Sequence, residues 1–261
     1  MVPETMEPLF FIINFGNPNN ASIFAATKRN DMSKDILENV FFLPYVGNKY
    51  ENGLILKEDG TIEAGTEENK GLKVMVLGES HYCGDECAEC GLASTCEKEG
   101  CRNFTLDVLT YYLDYLKGKE VFEPWMNTFT KFGKALTGKD ERPTEIWKSL
   151  LFYNYVQRAM NATRTSPSSE DFENSQNAFF EVLEAYKPNI IICWGKRLYN
   201  KLPNKGSKGE DIETEFEFIE TWIYNISNNQ KSLVIPIYHP SAGFDWNYWH
   251  EVIIQMFKLN K

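Results

Sequence analysis

The sequence predicts an α/β fold of three layers, with a central, mostly parallel sheet and helices on both faces. Three observations carry this. Runs at 73–78, 189–195 and 232–238 are short and almost wholly apolar, the mark of strands buried on both faces. Segments with helical spacing separate them: Leu106, Leu109, Leu113 and Leu116 share one face, as do Phe172, Phe179, Leu183 and Tyr186. Strands alternating with helices of this length give a parallel sheet covered on both sides.

Taken in order, residues 1–72 read as an N-terminal extension packed on the main domain. They hold one apolar run at 9–15, an Asn/Pro/Gly stretch at 16–20, a short helix around 33–40, and a turn-rich acidic segment to Lys70. The main domain is 73–261. Its first strand leads into a cysteine-rich loop at 83–101, then a helix at 104–117. A second helix spans 123–136, with Pro124 in its first turn. A third starts after Pro143 and carries Ile146, Trp147, Leu150 and Leu151. A fourth runs 170–186, ended by Pro188. A short helix at 196–202 follows the second strand. Residues 212–226 form a strand or an irregular piece. The final helix is 246–258, with Trp249, Ile253, Met256 and Phe257 inward.

The chain has 261 residues, 43% hydrophobic and 25% charged, which places it in the globular class. No run approaches the roughly 18 apolar residues of a membrane span. The run at 9–13 is short and preceded by Glu4 and Glu7, unlike a secretory signal. A cytoplasmic protein with no membrane partner is expected. The net charge of −10 argues against a protein that coats duplex DNA. Residues 51–70 and 209–220 account for that whole excess. Lys196, Arg197, Lys201, Lys205 and Lys208 form a local basic group; it suits either a phosphate contact or a solvated helix and loop.

Chemistry-bearing residues sit where strands end. In open α/β sheets, ligands bind outside the carboxyl ends of the strands. The first strand leads into Gly78-Glu79-Ser80-His81-Tyr82. Gly78 permits a close backbone approach to a ligand, and Glu79 supplies an acid/base. The last strand leads into His239-Pro240-Ser241. Pro240 holds His239 extended, and a rigid imidazole there can stabilise a developing anion. Asn154 ends a third apolar stretch. Its amide carries both a donor and an acceptor, matching the paired groups on a uracil-like edge.

These motifs, in this order and with Trp194-Gly195 closing the strand between Asn154 and His239, resemble the uracil-DNA glycosylase superfamily over roughly 73–258. The resemblance implies a uracil-DNA glycosylase-like fold and hydrolysis of the N-glycosidic bond of a uracil or other damaged base flipped out of DNA. Glu79 and His239 would be the catalytic residues. Glu79 would orient water or stabilise the sugar's positive charge; His239 would stabilise charge on the departing base. Gly78, Ser80, Tyr82, Asn154 and Ser241 would bind substrate, with Tyr82 walling the base pocket and Asn154 reading the base. Phe152 or Tyr153 would stack on it.

The departures are specific. Ser80 stands where the best-known members have a catalytic Asp, and His81 where they have Pro. Gly243 replaces the usual apolar wedge, with Phe244 and Trp246 just beyond. Either aromatic could intercalate, or neither does and duplex binding is weak; with the acidic balance, single-stranded DNA, a nucleotide, a nucleoside or a modified base stays open as partner beside duplex DNA. The departures also sustain the alternative of a non-catalytic nucleotide- or nucleic-acid-binding module.

Cys83, Cys87, Cys90, Cys96 and Cys101 lie within nineteen residues. In a cytosolic protein such spacing points to metal before disulfides. Zn²⁺ is the first expectation and an iron–sulfur cluster the second, with reduced thiols or disulfides as the alternatives and His81 as a further candidate ligand. The glycosidic chemistry itself requires no cofactor. Cys193, inside an apolar strand, reads as a buried small hydrophobe.

Overall fold

A computed structural model describes residues 37–83, 99–141, 145–160, 165–227, 230–241 and 243–260. The strands are β1 (Tyr45–Val46), β2 (Leu54–Leu56), β3 (Ile62–Ala64), β4 (Val74–Gly78), β5 (Leu150–Asn154), β6 (Ile190–Trp194), β7 (Ser207–Lys208), β8 (Ile212–Glu213), β9 (Phe218–Ile219), β10 (Trp222–Ser227) and β11 (Gln230–Ile237). The helices are α1 (Phe104–Leu116), α2 (Met126–Thr137), α3 (Ser169–Asn174), α4 (Gln176–Tyr186), α5 (Lys196–Tyr199) and α6 (Trp246–Leu259). One seven-stranded sheet runs β1-β5-β4-β6-β11-β10-β7, and the pairs β2-β3 and β8-β9 stand outside it. Its middle four strands are parallel, while β1, β10 and β7 join antiparallel at the edges.

Side-chain alternation divides the core in two. Val74, Val76, Leu150, Phe152, Ile190, Ile192, Trp194, Ile235 and Ile237 face α1, α2 and α6. Met75, Leu77, Leu151, Tyr153, Ile191, Cys193 and Val234 face α3, α4 and α5. Both sets are buried, which is why these runs show no polar alternation. Chirality explains the two layers. The chain moves from β4 to β5 on one side, then back across β4 to β6 on the other. Two right-handed crossovers that travel in opposite directions must lie on opposite faces.

Pro236 is a proline in an interior strand, where a ladder donor is normally needed. Its partner is Cys193 of β6, while the β10 pairing ends at Val234. It therefore lies beyond the reach of the neighbour on that side.

Three expectations need correction. The helix expected after Pro143 is a single 3₁₀ turn, Ile146–Ser149, followed by β5. Leu150–Asn154 fills the slot between β4 and β1 and is buried on both faces, so tertiary pairing overrides a spacing that only mimics a helix. The expected helix 170–186 is two helices broken at Ser175. The Ser175 hydroxyl donates to the Asp171 carbonyl and accepts from the Gln157 amide, a local competition that interrupts a helix. Residues 37–40 are not helical, and 33–36 lie outside the described residues. Between 37 and 72 the chain supplies β1 to the sheet edge, and Leu54 and Ile62 of the β2-β3 hairpin to the first core layer.

Phe129 of α2 joins the first layer together. Its ring lies 5.3–5.7 Å from those of Tyr112, Trp125, Trp147, Phe152 and Trp194. Phe129→Ala should destabilise the fold by about 3–5 kcal/mol, the usual effect of emptying a buried aromatic site. Urea unfolding checks this, and an unchanged midpoint would contradict the layer assignment.

Candidate functional site

Parallel pairing brings the three motifs to one edge of the sheet. Gly78 is the register partner of Asn154, Leu77 of Cys193, and Trp194 of Ile237. The segments after β4 and β5 stay paired beyond the sheet. The Tyr155 amide donates to the Gly78 carbonyl at 2.9 Å and the Val156 amide to the Glu79 carbonyl at 2.8 Å. The Met160 amide donates to the His81 carbonyl at 2.7 Å, and the Cys83 amide to the Met160 carbonyl at 2.9 Å. The loop carrying Glu79 to Tyr82 is thus built against the loop that follows Asn154. The connections after β4 and β6 diverge to opposite sides, and such a switch point is where an open α/β sheet forms its ligand crevice.

Glu79 follows β4 at this point. Its side chain is 13% exposed and is held by the fork of Arg197, Nε to Oε2 at 2.9 Å and Nη2 to Oε1 at 2.5 Å. Arg197 also donates to the Ser166 hydroxyl at 2.6 Å. Gly195, at φ +105°, turns the chain out of β6 so that α5 starts immediately and presents Arg197 there. Burial raises the Tyr82 phenol above its ordinary range.

Asn154 is buried on the opposite face of the strand ends from Glu79, toward α1. Its amide nitrogen lies 3.1–3.2 Å from the ring nitrogens of His81, and its carbonyl lies over Gly78, where a methyl group would collide with it. Gly78 is therefore glycine because the Asn154 amide occupies the space of its side chain. His81 is buried between Phe42 and Phe104, at centroid distances of 4.8 and 4.5 Å, with Nε2 2.9 Å from the Thr105 hydroxyl. Its nitrogens face Thr105 and Asn154.

His239 stands at the end of β11, half-buried, its ring 5.9 Å from that of Trp194 in an edge-on arrangement. Its Nδ1 is sealed from solvent. Burial, helped by the nearby Arg197 charge, pulls its pKa down to about 3. Ser241 contributes backbone: its carbonyl accepts from Lys131 of α2 at 2.7 Å, and its amide donates to the His239 carbonyl at 2.6 Å. Phe152 and Tyr153 lie in opposite core layers. Phe244 is buried and stacked on Trp249 at 6.2 Å, so it is a core residue and not a wedge. Trp246 starts α6, partly buried against the same layer.

The basic group is largely engaged. Lys196 pairs with Glu217 at 2.6 Å and lies over Tyr238; Lys208 pairs with Asp211, and Lys201 reaches Ser169. Lys205 lies over Phe180. Of the cysteine cluster, Cys83 and Cys101 pack half-buried against Phe42 and Ala159, while Cys87, Cys90 and Cys96 lie outside the described residues. No group of three metal-ligating side chains occurs among the described residues. No helix among them is long and apolar enough to cross a membrane. The sequence matches no known protein-family profile and no curated protein.

Sequence reasoning found the strand ends but missed the two partners that organise them, Arg197 for Glu79 and His81 for Asn154. The signal for the first was an arginine two residues after the strand-terminating Gly195.

His81, like His239, is pulled down to about 3 by burial. Between that value and about 6.5 the unfolded imidazole binds a proton that the folded one does not. Stability should therefore be full above about pH 6.5 and fall toward pH 3, by about 1.4 kcal/mol per pH unit for His81. Melting temperatures from pH 7 to pH 4 check this. His81→Phe should flatten the slope; a slope equal to that of the unmodified protein would contradict the assignment.

Proposed function

We propose that this chain is an N-glycosyl hydrolase of the uracil-DNA glycosylase kind, releasing a uracil or other damaged base extruded from single-stranded DNA. One observation carries the reading. Gly78, Glu79, Asn154 and His239, singled out from motifs spread across the sequence, end on neighbouring parallel strands at the switch point of the sheet. The uracil-DNA glycosylase-like form of the α/β fold belongs to the same proposal.

The chemistry follows from the states of the side chains. An amide has two donor hydrogens and a carbonyl. With one hydrogen on His81, Asn154 keeps a donor and an acceptor for the base edge. His239, uncharged near neutrality, donates an N–H to the base as negative charge grows on it, as a preorganised electrophile does. The N-glycosidic bond breaks with its electron pair passing to the base. The Glu79 carboxylate stabilises the cationic sugar and orients the water that adds to its anomeric carbon. That water gives up its proton through Glu79, and the departing base takes one up. Burial of Phe244 leaves that ring unable to prise a duplex apart, and the net charge of −10 disfavours duplex binding; both support a strand already unpaired. The loop cysteines take no part in these steps.

A second reading is favoured by the Glu79–Arg197 pair itself. A carboxylate already matched by a guanidinium suits a module that binds a nucleotide without cleaving it. A uracil-containing single-stranded oligonucleotide separates the two. Hydrolysis predicts release of free uracil, a fall of about 10²-fold or more in rate for Glu79→Gln or His239→Asn, and binding retained in Glu79→Gln. Tight binding with no base release from any deaminated substrate would establish the module instead.

A further inference from the structure

α5 carries two adjacent cations that part company. Lys196 reaches Glu217 and the ring of Tyr238. Arg197 turns to the strand ends, where it meets Glu79 of the β4 segment and Ser166 ahead of α3. We infer that Arg197 is a positioning residue for the hydrolysis proposed above: its guanidinium fork spans the switch point between β4 and β6 and holds the Glu79 carboxylate in one orientation toward the sugar. The inference rests on that proposed reaction.

Three features support it. The contact is bidentate, two parallel N–H donors on two carboxylate oxygens, the geometry that fixes direction as well as distance. A lysine, with a point charge on a flexible stem, cannot reproduce it. The fork is itself braced, since Ser166 accepts from Nη1 at 2.6 Å and Gly195 sets the turn that launches α5. Finally, the charge of Arg197 is felt by Tyr82 and by His239. At His239 it opposes protonation. The same charge stands near the ring that receives the leaving base, where negative charge develops. Among the described residues, the groups around this guanidinium include Glu79, Ser166, Tyr82 and His239.

Misplacing a reacting group by about 1 Å lowers rates by about 10²-fold. The experiment compares the full-length protein with Arg197→Met, Arg197→Lys and Arg197→Ala on a single-stranded oligonucleotide carrying one uracil. kcat and KM are measured separately, with melting temperature recorded for each variant. We expect Arg197→Met to lose about 10- to 100-fold in kcat with little change in KM. Arg197→Lys should recover part of the loss, and millimolar guanidinium ion should rescue Arg197→Ala. A purely structural role predicts a lowered melting temperature, a rate that falls only with the folded fraction, and no rescue; that result overturns the inference. So does an Arg197→Met rate within twofold of the unmodified protein. If the unmodified protein releases no base, the proposed reaction itself fails, and that outcome is read from its own lane. The pair is checked without catalysis by the Arg197 Nε–H resonance. It should be sharp and slow to exchange in the unmodified protein and lost in Glu79→Gln. A signal indifferent to Glu79→Gln overturns the inference whatever the activity.

Discussion

The hydrogen-bonded register of β4 with β5 and β6 is the constraint on which the rest depends. β4 is five residues long, apolar on both faces and flanked on both sides by parallel strands. That pairing sets a common level at which three strands stop. Gly78 and Asn154 stop side by side, Leu77 and Cys193 just below. A slip of one residue would turn every inward side chain to the other layer and would carry Glu79 to the face that now holds Asn154. The two core layers therefore do more than stabilise: they fix on which face of the strand ends each chemical group lies.

On that frame the site is organised by pairing and by dryness. On one face, Asn154 lies between Gly78 and a buried, uncharged His81. On the other, Glu79 is locked to Arg197. His239, with Nδ1 shut off from water, remains neutral at ordinary pH. A carboxylate and a neutral imidazole at neighbouring strand ends are the pair that the proposed hydrolysis would use against opposite charges on a breaking glycosidic bond. Asn154, His81 and Thr105 bond one another, as do Glu79, Arg197 and Ser166, which keeps both sets rigid.

Much of this was legible in the sequence, for a physical reason. Strands buried on both faces appear as short apolar runs, and the residues that follow them gather at the carboxyl edge of the sheet; 73–78, 189–195 and 232–238 announced themselves this way. Other features were not legible. Leu150 and Leu151 follow Ile146 and Trp147 at helical spacing, and only the slot beside β4 makes them a strand. The break at Ser175 depends on the Gln157 amide, eighteen residues away. His81 looked like a candidate ligand because its neighbours in sequence are cysteines; its neighbours in space are Phe42, Phe104, Thr105 and Asn154. Phe244 stands just beyond the wedge position in sequence, yet it stacks on Trp249 of the following helix. The Glu79–Arg197 pair joins residues 118 apart, a separation that no local pattern encodes.

The central claim is that a pyrimidine base binds at the strand ends, and amide NMR with free uracil tests it most directly. Titration to millimolar uracil should shift the amides of residues 78–82, 154–156, 195–197 and 239, and leave those lining the hollow at Leu54–Leu56 and Asn69–Leu72 unmoved. Shifts confined to that distant hollow, or none at any concentration, would contradict the account.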